Sequence, residues 1–197
     1  MPAFTKGGED ALEIWPSILE KAYAKLYGSY SNIEAGKVHL ALADMVEGGF
    51  PEVLTLKDFS SNLRLFNGKL RQLDKVQALM GAGTTEGKDT ESNGEGIVKG
   101  HAYSILEVAD YMGEQLIQLR NPHGYRGLNV AKEWTGEWAD DSEKWTTKAM
   151  ASLEYTPNTG ESDGVFWMPS LDFINNFKYI YICRELSEKA GWYSHAI

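Results

Sequence analysis

One stretch, residues 96–124, restricts the fold of this chain most strongly because it has the pattern of a β-hairpin. β-Branched, aromatic and aliphatic residues predominate from Ile97 to Val108, and a second alternating apolar run covers Leu116 to Arg120. The segment Tyr111 to Glu114 between them has the composition of a tight turn. Pro122 ends the pairing, since proline cannot donate to a strand ladder.

The hairpin brings two polar side chains together. If the turn is centred near Met112 and Gly113, antiparallel pairing puts Asn121 opposite Ser104, within a few residues of His101 on the neighbouring strand. An imidazole that acts as a general base needs an acceptor that fixes its tautomer and orientation. An asparagine amide oxygen can do this without charge, as in the Cys-His-Asn set of papain-like proteases. A lone histidine on a strand is commonly structural, so the pair alone is weak support.

Several longer strings occur in a fixed order. They are Leu19–Leu26 with Gly28–Tyr30, then Gly100–Ser104, Leu119–Pro122 with Gly124, Glu133–Gly136 with Trp138 and Asp140, and Asp163–Gly164 with Phe166–Met168. In that order they resemble the second half of the calpain protease core, from about Trp15 to Leu186. The resemblance implies an α+β fold, a papain-like cysteine protease half-domain with N-terminal helices followed by an antiparallel β-sheet or barrel. It also implies that His101 is the catalytic histidine and Asn121 its orienting asparagine.

The resemblance assigns further residues to the substrate cleft around this pair. Gly100 and Ala102 flank the histidine, and Trp134 or Trp138 is expected to shield the pair from water. His123 replaces a family tryptophan that packs beside the catalytic residues and obstructs them until calcium binds. Because an imidazole is smaller and titratable, the obstruction is expected to be weaker or pH-sensitive.

The family's nucleophilic cysteine, which lies in the preceding half-domain, has no counterpart here. The only cysteine, Cys183, lies in a strand-like apolar run and follows His101 and Asn121, whereas the family order is Cys, His, Asn. We therefore interpret Cys183 as a buried thiol. The chain is expected to supply the base and its orienting amide to a cysteine endopeptidase, to need a partner half-domain that carries the cysteine, and to be inactive alone. Its substrates would be extended protein segments.

The resemblance also implies calcium. Glu133, Asp140 and Asp163 match calpain calcium ligands, and a backbone carbonyl near Glu161 matches another. Carboxylates on flexible loops suit hard cations. One family carboxylate is Val165 here, and the link before Glu133 is longer than usual, so we expect weaker calcium binding.

Two other functions stay open from the sequence. One is a non-catalytic interaction module that keeps the protease-half fold, and the other is a calcium-responsive regulatory domain. The residues encoded before Met1, and calcium titration of thermal stability, would discriminate them.

Composition bounds these interpretations. A chain of 197 residues with 43% hydrophobic content can form one domain spanning residues 1–197. Its net charge, 19 − 28 = −9, argues against nucleic acid, and a single cysteine fits a reducing compartment. With no apolar run of spanning length and no signal peptide, we expect no transmembrane segment and a cytoplasmic location.

The remaining elements follow from periodicity. Helices are predicted for Glu13–Leu26, Lys37–Glu47 and from a cap at Ser60–Asn62 to about Ala78, each with an apolar face for the core. The loop 81–96 is rich in Gly, Thr, Glu, Ser and Asn, so we expect it to be mobile. The resemblance to calpains, which have a cleft-edge loop in this place that moves as the substrate site opens, implies a gating role. The other predicted elements are strands at Phe50–Leu56, Leu79–Met80 and Tyr179–Arg184 and a helix from Ser170 to about Phe177, which together with Gly164–Met168 complete an α+β unit.

Overall fold

The structure is a computed structural model that describes residues 13–122, 133–158 and 163–185. The chain divides into two compact units, one up to Lys37 and one from Val38 onward. The first contains helix α1, Trp15–Leu26, and a 3₁₀ turn at Tyr30–Ile33. Proline lies in the first turn of α1, where its missing N–H costs nothing.

The apolar face of α1 is not the buried one, which corrects the core-packing expectation for this helix. Trp15, Ile18 and Leu26 are each more than half exposed, at 61%, 59% and 70%. The buried residues of the helix are Glu20 and Ala24. The stripe that the three-four spacing predicts therefore exists, but its residues are exposed.

The second unit has an α+β fold, as the sequence predicts. Its helices are α2 (Val38–Met45), α3 (Leu63–Lys75), α4 (Thr147–Ser152) and α5 (Ser170–Asn176), with a 3₁₀ turn at Leu56–Phe59; its strands are β1 (Gly49–Thr55), β2 (Leu79–Thr84), β3 (Ala102–Tyr111), β4 (Glu114–Arg120), β5 (Val165–Pro169) and β6 (Phe177–Glu185). All described strand pairs are antiparallel, in the order β1-β6-β2-β3-β4-β5. The sheet is open, with β1 and β5 at its edges. No helix in the described ranges has both the length and the apolar character needed to cross a membrane.

Helix α3 begins and packs as predicted. The side chain of Asn62 accepts a hydrogen bond from the Leu65 backbone N–H at 2.9 Å, which satisfies one of the unpaired N–H groups of the first turn. Phe66, Leu70 and Leu73 are buried in the main core. In α2, by contrast, the predicted inward residue Met45 is half exposed.

The hairpin is β3 and β4, and its turn is where the sequence puts it. Met112 and Gly113 both have positive φ angles, 49° and 87°, which suit a two-residue hairpin turn. A bulge between Ile105 and Glu107 shifts the register, so that Ser104 pairs with Arg120. The prediction that Asn121 lies opposite Ser104 is therefore wrong by one residue. It assumed a regular ladder, whereas the bulge adds one residue to β3 that has no partner on β4.

Two boundaries of the predicted hairpin and loop also differ. Strand β3 begins at Ala102, not at Ile97, because Gly100 has a positive φ that interrupts an extended strand. Strand β2 continues to Thr84, so residues 81–84 of the predicted loop belong to the middle of the sheet. Glycine permits this, since a Cβ at Gly83 would meet the Tyr181 ring at 2.8 Å.

Candidate active site

Four strands begin or end on the same side of the sheet, a side that runs across the strands and not along β1 or β5. We call this side the site edge, and the predicted catalytic pair lies there. Strand β2 ends at this edge, β3 begins, β4 ends and β5 begins, as the pairs Gly83–Ala102, Ser104–Arg120 and Arg120–Val165 require. Antiparallel pairing thus brings together residues 84, 101, 121 and 164, which are far apart in sequence.

His101 and Asn121 make the contact that the sequence predicts. The imidazole Nε2 lies 2.9 Å from the Asn121 amide oxygen. Because that oxygen only accepts, Nε2 carries the proton and Nδ1 keeps a lone pair that can take a proton. Asn121 is 6% exposed, and its backbone N–H donates to the Gly164 carbonyl at 2.8 Å. The ring, which is half-buried, therefore has one nitrogen fixed by a shielded amide.

The backbone of His101 is held by Thr84. The His101 N–H donates to the Thr84 hydroxyl oxygen at 2.9 Å, and that hydroxyl donates to the His101 carbonyl at 3.1 Å. The Thr84 N–H donates to the same carbonyl at 3.0 Å. The imidazole also meets the ring of Tyr103 edge-on, with 5.2 Å between ring centroids.

Gly100 and Ala102 flank the histidine and shape its backbone. Gly100 has φ +57°, donates its N–H to the Thr85 carbonyl at 2.7 Å, and has no room for a side chain, since a Cβ would lie 2.2 Å from the Gly87 carbonyl oxygen. Ala102 pairs with Gly83 as the first residue of β3. These two residues fix the chain path into and out of His101.

The segment before the histidine is organised by one side chain. The amide oxygen of Asn93 accepts from the Glu95 and Ile97 N–H groups at 3.0 and 2.9 Å, and its amide nitrogen donates to Asn176 of α5. Ser92 and Val98 form an isolated antiparallel bridge. A gating role for this segment stays a prediction.

The two tryptophans lie in different places. Trp134 is buried in the main core that also holds Tyr103, and its indole N–H donates to the Glu137 carbonyl at 2.7 Å. Trp138 belongs to a second buried cluster, and its indole N–H donates to the carboxylate of Glu114 at 2.9 Å. Glu114 begins β4, the end of that strand opposite to Asn121. Trp138 is therefore at the far edge of the sheet and is not positioned to shield the His–Asn pair.

Three predicted calcium ligands are oriented by hydrogen bonds near the start of β5. The Glu133 carboxylate accepts from the Gly164 N–H, and the Asp163 carboxylate accepts from the Val165 N–H at 2.8 Å. Asp140 accepts from the Tyr155 hydroxyl at 2.8 Å. Gly164 thus connects Glu133, through its N–H, with the backbone of the orienting asparagine, through its carbonyl.

Electrostatics also link these acids. Burial raises the pKa of the Asp140 carboxyl, hydrogen bonds from Tyr155 and Asn158 oppose this, and the charge of Asp163 adds to the rise. Burial likewise raises the pKa of Tyr155, and the charges of Asp140, Asp163 and Glu133 add to the effect. Within the described ranges, however, no three His, Cys, Asp or Glu side chains are close enough together to hold a metal ion.

Two predicted site residues, His123 and Glu161, lie outside the described residues. Thr84, in contrast, is a site residue that sequence reasoning missed. It lies in the predicted loop 81–96, which rests on the Gly, Thr, Glu, Ser and Asn content of that segment, and only its β-branched side chain favours a strand.

Cys183 is buried, as predicted. It is 1% exposed in β6, and burial raises the pKa of its thiol. It lies 183 − 177 = 6 residues along β6 from Phe177, which pairs with Thr84 at the site edge. At about 3.4 Å per residue this is roughly 20 Å from the His101 region.

Comparison with known proteins gives a consistent result. The sequence profile of calpain family cysteine proteases matches residues 2–184. The chain is 40% identical over 187 residues to the calpain-type cysteine protease ADL1 of Oryza sativa subsp. japonica and 41% identical over 187 residues to the calpain-type cysteine protease DEK1 of Zea mays, covering 93% of this chain and 8% of each relative. It is 36% identical over 203 residues to calpain-5 of Caenorhabditis elegans, covering 87% of this chain and 30% of that protein. The chain spans less than a third of each of these relatives and belongs to the calpain family of cysteine proteases.

Proposed function

We propose that this chain is the base-bearing half of a calpain-like cysteine endopeptidase, with His101 as general base and Asn121 as its orienting residue. The observation that carries the proposal is the 2.9 Å contact between His101 Nε2 and the shielded Asn121 amide oxygen. This contact leaves Nδ1 as the proton acceptor. It is the arrangement that nucleophilic catalysis by a thiol requires.

The reaction would run through Nδ1. It takes the proton of a cysteine thiol, and the thiolate attacks the scissile carbonyl of an extended protein substrate. As the carbon–nitrogen bond breaks, the imidazolium returns the proton to the leaving amine. Water then hydrolyses the thioester and regenerates the thiol. Throughout the cycle, Asn121 keeps the imidazole in one orientation.

The thiol would come from a partner half-domain. Cys183 is buried and distant from the site edge, and burial raises the pKa of its thiol, so it is a poor nucleophile. The exposed apolar face of α1, with Trp15, Ile18 and Leu26, is a surface of the kind that another protein surface covers. A protease active with a free thiol fits a reducing compartment such as the cytoplasm.

Reconstitution tests this proposal. The chain is mixed with a separately produced cysteine-bearing calpain half, and peptide hydrolysis is measured for the mixture and for each part alone. We expect hydrolysis only in the mixture, its loss with His101→Gln, and its retention with the matched change His39→Gln and with Cys183→Ala. Hydrolysis by the chain alone that Cys183→Ala abolishes would contradict the assignment. Silence in a mixture shown to associate would favour the non-catalytic interaction module.

We also propose that calcium binds near the start of β5 by drawing together Glu133, Asp140 and Asp163, whose carboxylates are not close enough together in this structure to hold a metal ion. Their oxygens are the ligands that calcium prefers, and each carboxylate is already oriented by a protein hydrogen bond. Burial is the main cause of the raised pKa of the Asp140 carboxyl, and the charge of Asp163 adds to it; that added repulsion is one that a cation would relieve. Bound calcium would neutralise this charge beside Gly164, whose carbonyl holds the backbone of Asn121.

Thermal unfolding of the chain tests the calcium proposal. Calcium at one hundred times its dissociation constant stabilises a protein by about 2.7 kcal/mol, which for a domain of this size raises the Tm by roughly 5–10 °C. We expect Asp163→Asn to reduce the shift and the nearby exposed change Glu143→Gln to leave it intact. An unchanged Tm at millimolar calcium would refute this site without affecting the assignment of His101.

A further inference from the structure

We infer that Thr84 is a positioning residue for His101, and that its hydroxyl, through the backbone of the histidine, sets the tautomer and orientation of the imidazole. This inference rests on the proposed role of His101 as general base. It begins with the last rung of the β2–β3 ladder. In a regular hydrogen-bonded antiparallel pair, two residues exchange N–H and carbonyl groups, so His101 N–H would donate to the Thr84 carbonyl.

The observed rung is different. The Thr84 N–H donates to the His101 carbonyl at 3.0 Å as expected, but the His101 N–H donates to the Thr84 hydroxyl at 2.9 Å. The pairing of β2 with β6 also shifts register between Gly83 and Thr84. The side chain therefore replaces the backbone acceptor at the point where β2 leaves the regular ladder, and a single hydroxyl contacts both backbone polar groups of His101.

The clamp is shielded and short. Thr84 is 8% exposed, and a hydroxyl on a β-branched residue has few rotamers, so the oxygen is held in place. Its hydrogen bonds also gain strength from the low local dielectric. The ring of His101 is then constrained from two sides, by Thr84 through the backbone and by Asn121 at Nε2. Removing the hydroxyl leaves the His101 N–H without its acceptor, although the Thr84 N–H still holds the His101 carbonyl, and we expect the ring to shift relative to Asn121.

The consequence for catalysis is an orientation effect. A displacement of about 1 Å at a reacting group can cost roughly a hundredfold in rate. We therefore expect Thr84→Val, which has nearly the shape of threonine but no hydroxyl, to lower kcat of the reconstituted protease by about ten- to a hundredfold with little change in KM. Thr84→Ser keeps the hydroxyl and should restore most of the lost rate.

A readout that needs no activity separates this inference from the proposed function. The ring ¹⁵N chemical shifts of His101 in the chain itself, assigned with His101→Gln, report which nitrogen carries the proton. We expect a dominant Nε2–H tautomer in the unaltered chain and in Thr84→Ser, and a mixture of tautomers in Thr84→Val. The matched control is Thr85→Val, the same change at the next residue. The Thr85 side chain is exposed, and it is the Thr85 backbone carbonyl that accepts the hydrogen bond from the Gly100 N–H, so the change leaves that bond in place.

Each outcome decides one question. Thr84→Val that is folded by circular dichroism and keeps the Nε2–H tautomer overturns the role of the hydroxyl, and so does Thr84→Ser that behaves like Thr84→Val. If Thr84→Val does not fold, the spectrum of Thr84→Ser decides alone. Loss of the Nε2–H tautomer in Thr84→Ser, which keeps the hydroxyl, overturns the inference, and retention of that tautomer agrees with the inference. Tautomer changes as expected, together with reconstituted hydrolysis that survives His101→Gln, would leave the clamp standing and refute the general-base assignment.

Discussion

Replacing Tyr103 by phenylalanine tests how the segment before the histidine is attached to the core. Tyr103 is 3% exposed in β3, and its hydroxyl accepts a hydrogen bond from the Val98 N–H at 2.9 Å. Its ring meets Phe166 and Phe177 edge-on, at centroid distances of 6.1 and 5.3 Å. Tyr103→Phe keeps this packing and removes only the acceptor, so Val98, itself 3% exposed, is left with a buried unpaired N–H.

The expected cost follows from that unpaired group. An unsatisfied buried donor costs about 1–3 kcal/mol, and in a chain of this size each kcal/mol lowers the Tm by roughly 2–4 °C. Alkaline pH adds a second signature, because burial raises the pKa of Tyr103 from 10.0 to about 12 while the Val98 hydrogen bond opposes the rise. Folding favours the protonated phenol, so its stabilisation is complete below pH 10 and is lost as the pH rises toward 12. A rise of the pKa from 10.0 to about 12 corresponds to about 2.7 kcal/mol of stability lost once the phenol is ionised.

Urea unfolding of both proteins at pH 8 and near pH 12 measures the two effects. We expect Tyr103→Phe to be less stable at pH 8 and the difference to shrink or reverse at the higher pH, since phenylalanine does not ionise. Tyrosines common to both proteins, such as Tyr155, cancel in the comparison. The control is Tyr111→Phe, whose hydroxyl has no hydrogen-bond partner among the described residues and which should change stability by less than about 0.5 kcal/mol. Equal stability at pH 8, or parallel losses at alkaline pH, would refute the reasoning.

Three further changes test other parts of the site and fold. Asn121→Ala should lower kcat of the reconstituted protease by roughly a hundredfold or more, since the ring loses its orienting acceptor, and an unchanged kcat would count against the pair. Gly100→Ala should destabilise the chain by more than about 1–2 kcal/mol, because alanine disfavours the positive φ of Gly100 and its Cβ would also clash with Gly87. The control Gly94→Ala, where there is open space for a Cβ, should not destabilise the chain, and equal Tm values for the two variants would contradict this reasoning. Asn62→Ala should lower the free energy of unfolding, measured in urea, by about 1 kcal/mol, because α3 loses its N-cap. An unchanged free energy of unfolding would mean that the cap does not stabilise the helix.

Local rules predicted the elements whose signals lie within one segment. The cap and apolar face of α3 and the turn at Met112–Gly113 each depend on a few adjacent residues, and each was predicted at the observed position. The register error at Asn121 has a different origin. A bulge at residue 106 shifts the pairing of β3 with β4, and no residue in the hairpin sequence marks it.

The α1 stripe and Trp138 show a second limit. Periodicity indicates which residues share a helix face, but it does not say what covers that face. The sequence therefore predicts correctly that Trp15, Ile18 and Leu26 form a stripe, and wrongly that this stripe packs in the core. Trp138 was assigned to the cleft by its place in a string. Its hydrogen bond to Glu114 shows that it lies at the side of the sheet opposite to the site edge. The connection between β4 and β5, which contains Trp138, can reach that side, and its sequence does not show this.

The directions of the strands explain why the residues of the candidate site meet. Antiparallel strands alternate in direction, so the ends of β2 and β4 and the starts of β3 and β5 must meet, and the residues just outside the ladder are free of its pairing rules. Thr84 lies at one of these strand ends and His101 and Asn121 lie just beyond two others, and all three form hydrogen bonds through their side chains. The same geometry puts Cys183 six residues inside β6, where both of its neighbouring strands pair with it. Under the proposed function, the nucleophile would therefore come from another surface and approach His101 at the site edge.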